Sequence, residues 1–113
     1  MKQFTYAVDV SALKLSDEEK ALFAKENGKQ VFENILAQAI NQKSPQGIPG
    51  PIGRTLVRIL NKLDASTDGN IQLEETEFEF IKGFLMNDAI LFRPAQYRLI
   101  ALYQANLDGA KSI

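Results

Sequence analysis

The chain of 113 residues contains no cysteine and no histidine. Without cysteine there can be no disulfide, no thiolate metal site and no cysteine nucleophile. Without histidine, the commonest general base and the usual zinc ligand are missing. Acid–base chemistry would fall to carboxylates, lysine or tyrosine. No serine stands in a nucleophile-elbow context. These absences argue against an enzyme. No apolar stretch is long enough to span a bilayer. The N-terminal run Met1-Lys2-Gln3-Phe4-Thr5-Tyr6 reaches Asp9 without the apolar segment of a signal peptide. The expected protein is soluble and cytoplasmic, with no membrane partner. Internal repeats and low-complexity segments are also lacking.

The hydrophobic content of 45% suffices for one core, and 113 residues are too few to stabilise two domains. The net charge of −1 conceals an uneven distribution. Six of the 14 acids (Asp64, Asp68, Glu74, Glu75, Glu77 and Glu79) fall within residues 64–79, which hold no Lys or Arg. The remaining acids are outnumbered by the 13 basic residues. An acidic concentration of this kind attracts a cation or a basic partner. Acids are also favoured by the dipole in the first turn of a helix. That second reading suits Glu77 and Glu79 better than Asp64 and Asp68.

Periodicity assigns the elements. Phe4, Tyr6, Val8 and Val10 alternate with Thr5, Ala7 and Asp9, the pattern of a half-buried strand over residues 3–10. Ser16 followed by Glu19 has the spacing of a capping box, and a helical pattern runs from Asp17 to about Asn41. Asn27-Gly28 predicts a break or kink within it. Beyond the break, Val31, Phe32, Ile35, Leu36, Ala39 and Ile40 form one apolar stripe. Residues 44–53 hold three of the four prolines and three of the seven glycines, which marks a loop. Its Ile48 and Ile52 either tuck inward or offer an exposed contact. Leu56, Ile59, Leu60 and Leu63 predict a helix over 54–63. Phe78, Phe80, Ile81, Phe84 and Leu85 predict a central helix from about 74 to 86. Residues 87–93 read as a connector. Pro94 suits a first helical position, and a last helix ends at Asp108-Gly109. Most of the aromatics fall on apolar stripes. Tyr6, Phe92, Tyr97 and Tyr103 are the ones placed where a partner could reach them.

The stretch between the third and fourth helical patterns carries the most specific signal. Oxygen-bearing side chains stand at its first, third and fifth positions, Asp64, Ser66 and Asp68. Gly69 is sixth, Asn70 seventh, Ile71 eighth, Gln72 ninth and Glu75 twelfth. The stretch resembles a calcium-binding EF-hand loop. The resemblance covers about residues 54–86, because Leu56, Ile59, Leu60 and Leu63 also match the apolar spacing of the incoming EF-hand helix. It implies a Ca²⁺ site in which Asp64, Ser66 and Asp68 each give a side-chain oxygen. Asn70 would give its carbonyl, Gln72 would act directly or through water, and Glu75 would give two oxygens. It also implies that Ile71 pairs with a sister loop. No second loop is present: the region around Asn27-Gly28 has no acids at the required spacing and has Asn34 at the closing position. Thr76 stands where the family places an apolar residue, and only three of the ligands are carboxylates. The site implied is thus a weak or structural one. The same residues would equally serve a metal-free connection, with Asp68-Gly69 as a turn and Glu74 and Glu75 at a helix start.

The expected fold is mainly α: a compact single domain of four to five helices with one short N-terminal strand and an EF-hand-like helix–loop–helix. Its expected segments are a strand segment (1–13), a helical hairpin or kinked helix (16–42), a Pro/Gly loop (44–53), the EF-hand-like unit (54–86) and a C-terminal helix (94–108). A lone strand leaves half of its backbone groups unpaired. It must therefore pair near Ile71 or Ala89–Phe92, with a second copy as a homodimer, or with another protein.

Other motifs are weak. Gly47 to Thr55 departs from a phosphate loop in glycine spacing, in having Arg54 in place of Lys, and in its donor-poor prolines. Arg54, Arg58 and Lys62 line one helix face, but the helix after the candidate loop is acidic, which disfavours nucleic acid. The function expected is a small non-enzymatic protein-binding module with one calcium site. The alternative is a metal-independent adaptor, chaperone or inhibitor that docks on a larger protein.

Overall fold

In the computed structural model, the N-terminal alternation becomes strand β1 (Lys2–Thr5), and this strand lies in the middle of the only sheet among the described residues. The structure describes residues 1–8, 13, 15–25, 28–87, 90–92 and 94–112, with the backbone alone at 22, 25 and 95. β2 (Asn70–Leu73) pairs antiparallel along one edge of β1, with Phe4 opposite Ile71 and Thr5 opposite Asn70. A two-residue strand, β3 (Lys111–Ser112), pairs antiparallel along the other edge, opposite Lys2 and Gln3. The sheet order is therefore β2-β1-β3. Over Lys2–Gln3 both edges of β1 are filled from within the chain, so a dimer through this strand would have to displace β3.

The strand stops earlier than its alternation predicts. The Tyr6 and Ala7 N–H groups both donate to the Gly69 carbonyl, and the Val8 N–H turns back onto the Tyr6 carbonyl. One acceptor serving two successive donors ends a ladder, and an i to i+2 bond bends the chain away. The expected continuation through Asp9 and Val10 lies outside the described residues, as do Asn27 of the predicted break and Ala89 and Arg93 of the connector.

Five helices are present among the described residues: α1 (Asp17–Lys25), α2 (Lys29–Lys43), α3 (Gly50–Ala65), α4 (Glu75–Leu85) and α5 (Tyr97–Asp108). A 3₁₀ turn, Pro94–Gln96, leads into α5. Ser16 caps α1 by accepting the Glu19 N–H at 3.2 Å, while its hydroxyl donates to the Glu19 carboxylate at 3.1 Å. Between α1 and α2, Gly28 has φ of 79° and lies against the Phe23 ring. That conformation favours glycine and sets the break.

α3 starts four residues before its predicted beginning. Gly50 and Pro51 occupy its first positions, where the N–H that proline lacks has no intrahelical partner anyway. Helical bonding begins with Gly53 N–H to the Pro49 carbonyl at 2.9 Å. Ile48 packs partly against the core, whereas Ile52 is exposed. β3 was not predicted. Two exposed residues, Lys111 and Ser112, carry no alternation, and only the path of the chain after α5 brings them beside β1.

The core joins both layers. Phe32 of α2 packs with Phe4 (ring centroids 5.2 Å), Tyr6 (6.4 Å) and, edge-on, Tyr103 of α5 (5.2 Å). Burying a ring of this size contributes about 1.5–3 kcal/mol. Ile59 and Leu63 of α3 and Phe78, Ile81 and Leu85 of α4 complete the interior. No helix among the described residues is long and apolar enough to cross a membrane.

Candidate functional site

The residues expected to hold calcium run from the last turn of α3 to the first residue of α4, and β1 pairs with the segment between them. α3 runs on to Ala65, so Asp64 lies in its last turn. The Asp64 side chain faces solvent, and its backbone carbonyl accepts from the Lys29 ammonium at 3.2 Å. A cation there complements the negative end of the helix. Ser66 closes the helix in an extended conformation, its N–H on the Leu63 carbonyl at 3.2 Å.

The Ser66 hydroxyl accepts from the Tyr6 phenol at 2.8 Å and donates to the Asn70 carbonyl at 2.7 Å. A serine has one proton to donate, and Asp68 Oδ1 is farther away at 3.4 Å, so the carbonyl takes it. Asp68 Oδ1 accepts the Asn70 N–H at 3.0 Å, an Asx turn. The Asn70 amide donates to the Asp68 carbonyl at 3.2 Å and accepts from the Thr5 hydroxyl. Gly69, with φ of 83°, directs its carbonyl at the Tyr6 and Ala7 N–H groups just past the end of β1. A Cβ there would lie 2.5 Å from the Ala7 Cβ.

Ile71 is buried and β-paired, but its partner is Phe4. The N-terminal strand occupies the place that a sister loop would take in a paired EF-hand. Gln72 is exposed opposite Gln3, and Glu75 is the exposed first residue of α4.

The structure thus brings Ser66, Asp68 and Asn70 together around their own hydrogen bonds. It does not bring Asp64, Asp68 and Glu75 to one point: no three His, Cys, Asp or Glu side chains among the described residues converge as a metal site would require. Of the oxygens proposed as ligands, the Ser66 hydroxyl and the Asn70 carbonyl bond to each other. The donor set as arranged does not fit Ca²⁺, which takes six to eight oxygens.

Glu77 is the acid with the most structural work in this region. Its side chain is about 1% exposed. One oxygen accepts from the Lys62 ammonium and from the Glu74 N–H at 2.9 Å. The Glu74 side chain in turn accepts the Glu77 N–H, completing a capping box at the start of α4. The other oxygen has no hydrogen-bond partner, though the Arg58 Nε lies 3.8 Å away. The first-turn reading of Glu77 is correct, and its burial against Lys62 is an addition that spacing alone does not convey. Glu79 is exposed on the same helix.

A second feature lies at the opposite ends of α4 and α5. Leu85, Met86, Ile90, Phe92, Tyr97 and Ile100, together with the polar Asn87 and Gln104, line a groove of about 340 Å³. Leu91 beside it is 75% exposed, Tyr97 60% and Met86 36%. The backbone of Leu91 is nevertheless held on both sides. Its N–H donates to the Gln42 side-chain carbonyl at 2.8 Å, and its own carbonyl accepts from the Gln42 amide. One turn earlier on α2, Gln38 exchanges two amide hydrogen bonds with Gln96, each 3.3 Å. Of the aromatics singled out in the sequence, Tyr97 is exposed and Phe92 half-buried, whereas Tyr6 and Tyr103 are fully buried. Leu91 itself gave no signal beyond being apolar in a connector.

No family model, curated protein or solved structure gives a significant match to this chain.

Proposed function

We propose that the protein is a small, non-enzymatic, metal-independent protein-binding module, an adaptor, chaperone or inhibitor that docks through the exposed apolar residues Met86, Leu91 and Tyr97 at the adjoining ends of α4 and α5. The observation that carries this reading is Leu91. Gln42 pins its backbone from both sides, so its side chain is displayed rather than loosely placed. Displayed apolar residues grouped with Met86 and Tyr97 are the ordinary composition of a protein contact. In this reading the 64–75 loop is a structural joint between α3, β1 and α4.

The experiment is a comparative capture from cells of the source organism, with the wild-type chain and the Leu91→Ser/Tyr97→Ser variant. A protein held by the first and lost by the second, with or without chelator, is the expected result. Identical captures by both would overturn the reading.

A calcium-binding module is the second reading. It is favoured by the helix–loop–helix frame and by the β-pairing of Ile71, the feature that EF-hand loops share. It requires the Ser66–Asn70 bond to open and three exposed carboxylates to turn inward. A thermal melt in calcium, magnesium or chelator decides it: a rise specific to calcium would establish the ion.

A further inference from the structure

β1 is paired unevenly along its two edges. On one side all four of its residues, Lys2 to Thr5, face β2. On the other side, among the described residues, only Lys2 and Gln3 face a strand, β3. The main-chain groups of successive strand residues point to opposite edges. The Tyr6 N–H goes to Gly69 on the β2 side, so the main chain of Thr5 is turned to the other edge. There the Thr5 carbonyl accepts from the Asn106 side-chain amide of α5 at 2.9 Å, where a neighbouring strand would offer its own N–H. A cleft of about 250 Å³ lies along this stretch, lined by the polar Gln3, Thr5, Asn106 and Lys111 and the small Ala105, Gly109 and Ala110. The segment that covers the rest of the edge is lightly held. β3 has two residues and both side chains are exposed, so lifting it breaks main-chain bonds and withdraws no buried side chain of its own.

We infer that this edge of β1 is a strand acceptor, closed at rest by β3, and that its occupant is an extended segment of another protein. This contact is separate from the one through Met86, Leu91 and Tyr97. β3 itself shows the kind of ligand that the edge takes, an extended chain running antiparallel to β1. A strand of four residues would pair with Lys2 through Thr5, whereas β3 covers only Lys2 and Gln3. It would also supply the N–H for which the Asn106 amide now stands in. Those added main-chain bonds let it compete with a segment that is already tethered in place. The cleft is lined by small and polar residues, so the main chain carries the recognition and the side chains of the occupant are loosely specified. A second copy of this chain fits the edge less well. Its β3 would bring the same two pairs that the resident β3 already makes, and two molecules would lose their separate freedom.

The test is to lock β3 in place. Gln3 and Lys111 stand opposite each other in register, at the separation that a cross-strand disulfide needs. The chain has no cysteine of its own, so Gln3→Cys/Lys111→Cys gives one defined bond. Random linear peptides are selected by display on the full chain, and the enriched peptides are measured on the reduced and oxidised forms of this variant. Peptides rich in β-branched and aromatic residues are expected. They should bind the oxidised form at least about tenfold more weakly than the reduced one, because the lock removes the open state. Lys111→Pro, which loosens β3, should tighten binding several-fold, and unchanged or weaker binding would deny β3 its role as a gate. Leu91→Ser/Tyr97→Ser should have no effect. Circular dichroism verifies that each variant remains folded. Equal binding to the oxidised and reduced forms, or no enrichment at all, would overturn the strand acceptor and leave the protein-binding reading to the comparative capture. Loss of binding in Leu91→Ser/Tyr97→Ser would place the peptides on the exposed apolar residues and overturn it too. A dimer of the reduced chain that oxidation abolishes would overturn the occupant and put a second copy in its place.

Discussion

The hydroxyl of Ser66 donates to the carbonyl of Asn70 at 2.7 Å, across the centre of a loop whose spacing suggests a calcium ion there. The same hydroxyl accepts from Tyr6 at 2.8 Å, so the joint is tied to the strand as well. Ser66→Ala strands the phenol of a fully buried tyrosine and one backbone carbonyl. It should cost about 1–3 kcal/mol. Tyr6→Phe removes only one donor and should cost about 0.5–1.5 kcal/mol. In urea unfolding, the double variant should lose less than the two single losses added together. Strict additivity would mean that the two hydroxyls do not act as one unit.

Calcium should leave the melting temperature unchanged at millimolar concentration, and Glu75→Gln should melt like the wild type in calcium and in chelator. Glu75 is exposed, and no three acids among the described residues converge as a metal site would require, so its charge gains nothing from a converging ligand set. A calcium-specific rise that Glu75→Gln removes would reinstate the ion.

Glu77 should be the most costly acid to remove. Glu77→Ala deletes half of the capping box and leaves the Lys62 ammonium beside an apolar interior. The expected loss is about 2–4 kcal/mol in chemical unfolding, below the upper range for a fully buried pair because Lys62 is partly solvated. Glu79→Ala on the same helix is exposed and serves as the control. Equal effects for the two would deny Glu77 its special place.

Burial raises the pKa of the Tyr103 phenol well above its ordinary value near 10, and its oxygen has no hydrogen-bond partner. The folded-state pKa exceeds the unfolded one. The stability that depends on a neutral phenol is therefore complete below about pH 10 and declines as the pH rises past it. Tyr103→Phe should be nearly neutral or slightly stabilising at pH 7, since it removes an unsatisfied polar atom. Above pH 10 the variant should gain on the wild type by up to about 1.4 kcal/mol per pH unit. Unfolding curves at pH 8 and pH 11 check both statements, and parallel pH profiles would refute the shift.

Gly69→Ala combines a positive φ with a Cβ placed 2.5 Å from that of Ala7. It should destabilise by about 1–3 kcal/mol. Adding Ala7→Gly should relieve the clash and leave the backbone strain, giving partial recovery of the melting temperature. Full recovery would mean that the backbone conformation itself costs little.

Much of the fold is legible because burial leaves a period in the sequence. The stripes of α2 and α4, the punctuation at Gly28 and Pro94, and the half-buried β1 can be read from local pattern. The start of α3 cannot be read as easily, because its Pro and Gly residues look like loop although proline is tolerated at a helix start. The candidate loop is half legible: its turn, its β-forming Ile71 and the helix start at Glu74 follow from residue types at given spacings.

Local sequence determined which segments are helical, where they break and which faces are apolar, since propensity and periodicity act within a few residues. Tertiary structure alone decided that Phe4 and not a sister loop pairs with Ile71, that β3 closes the other edge, and that Ser66 turns its hydroxyl inward to Asn70. It also buried Glu77 against Lys62 and exposed Leu91 on a backbone clamped by Gln42. Each of these joins residues 15 or more positions apart or depends on which way a loop's oxygens point. Spacing along the chain specifies neither, because both are settled only when the elements pack.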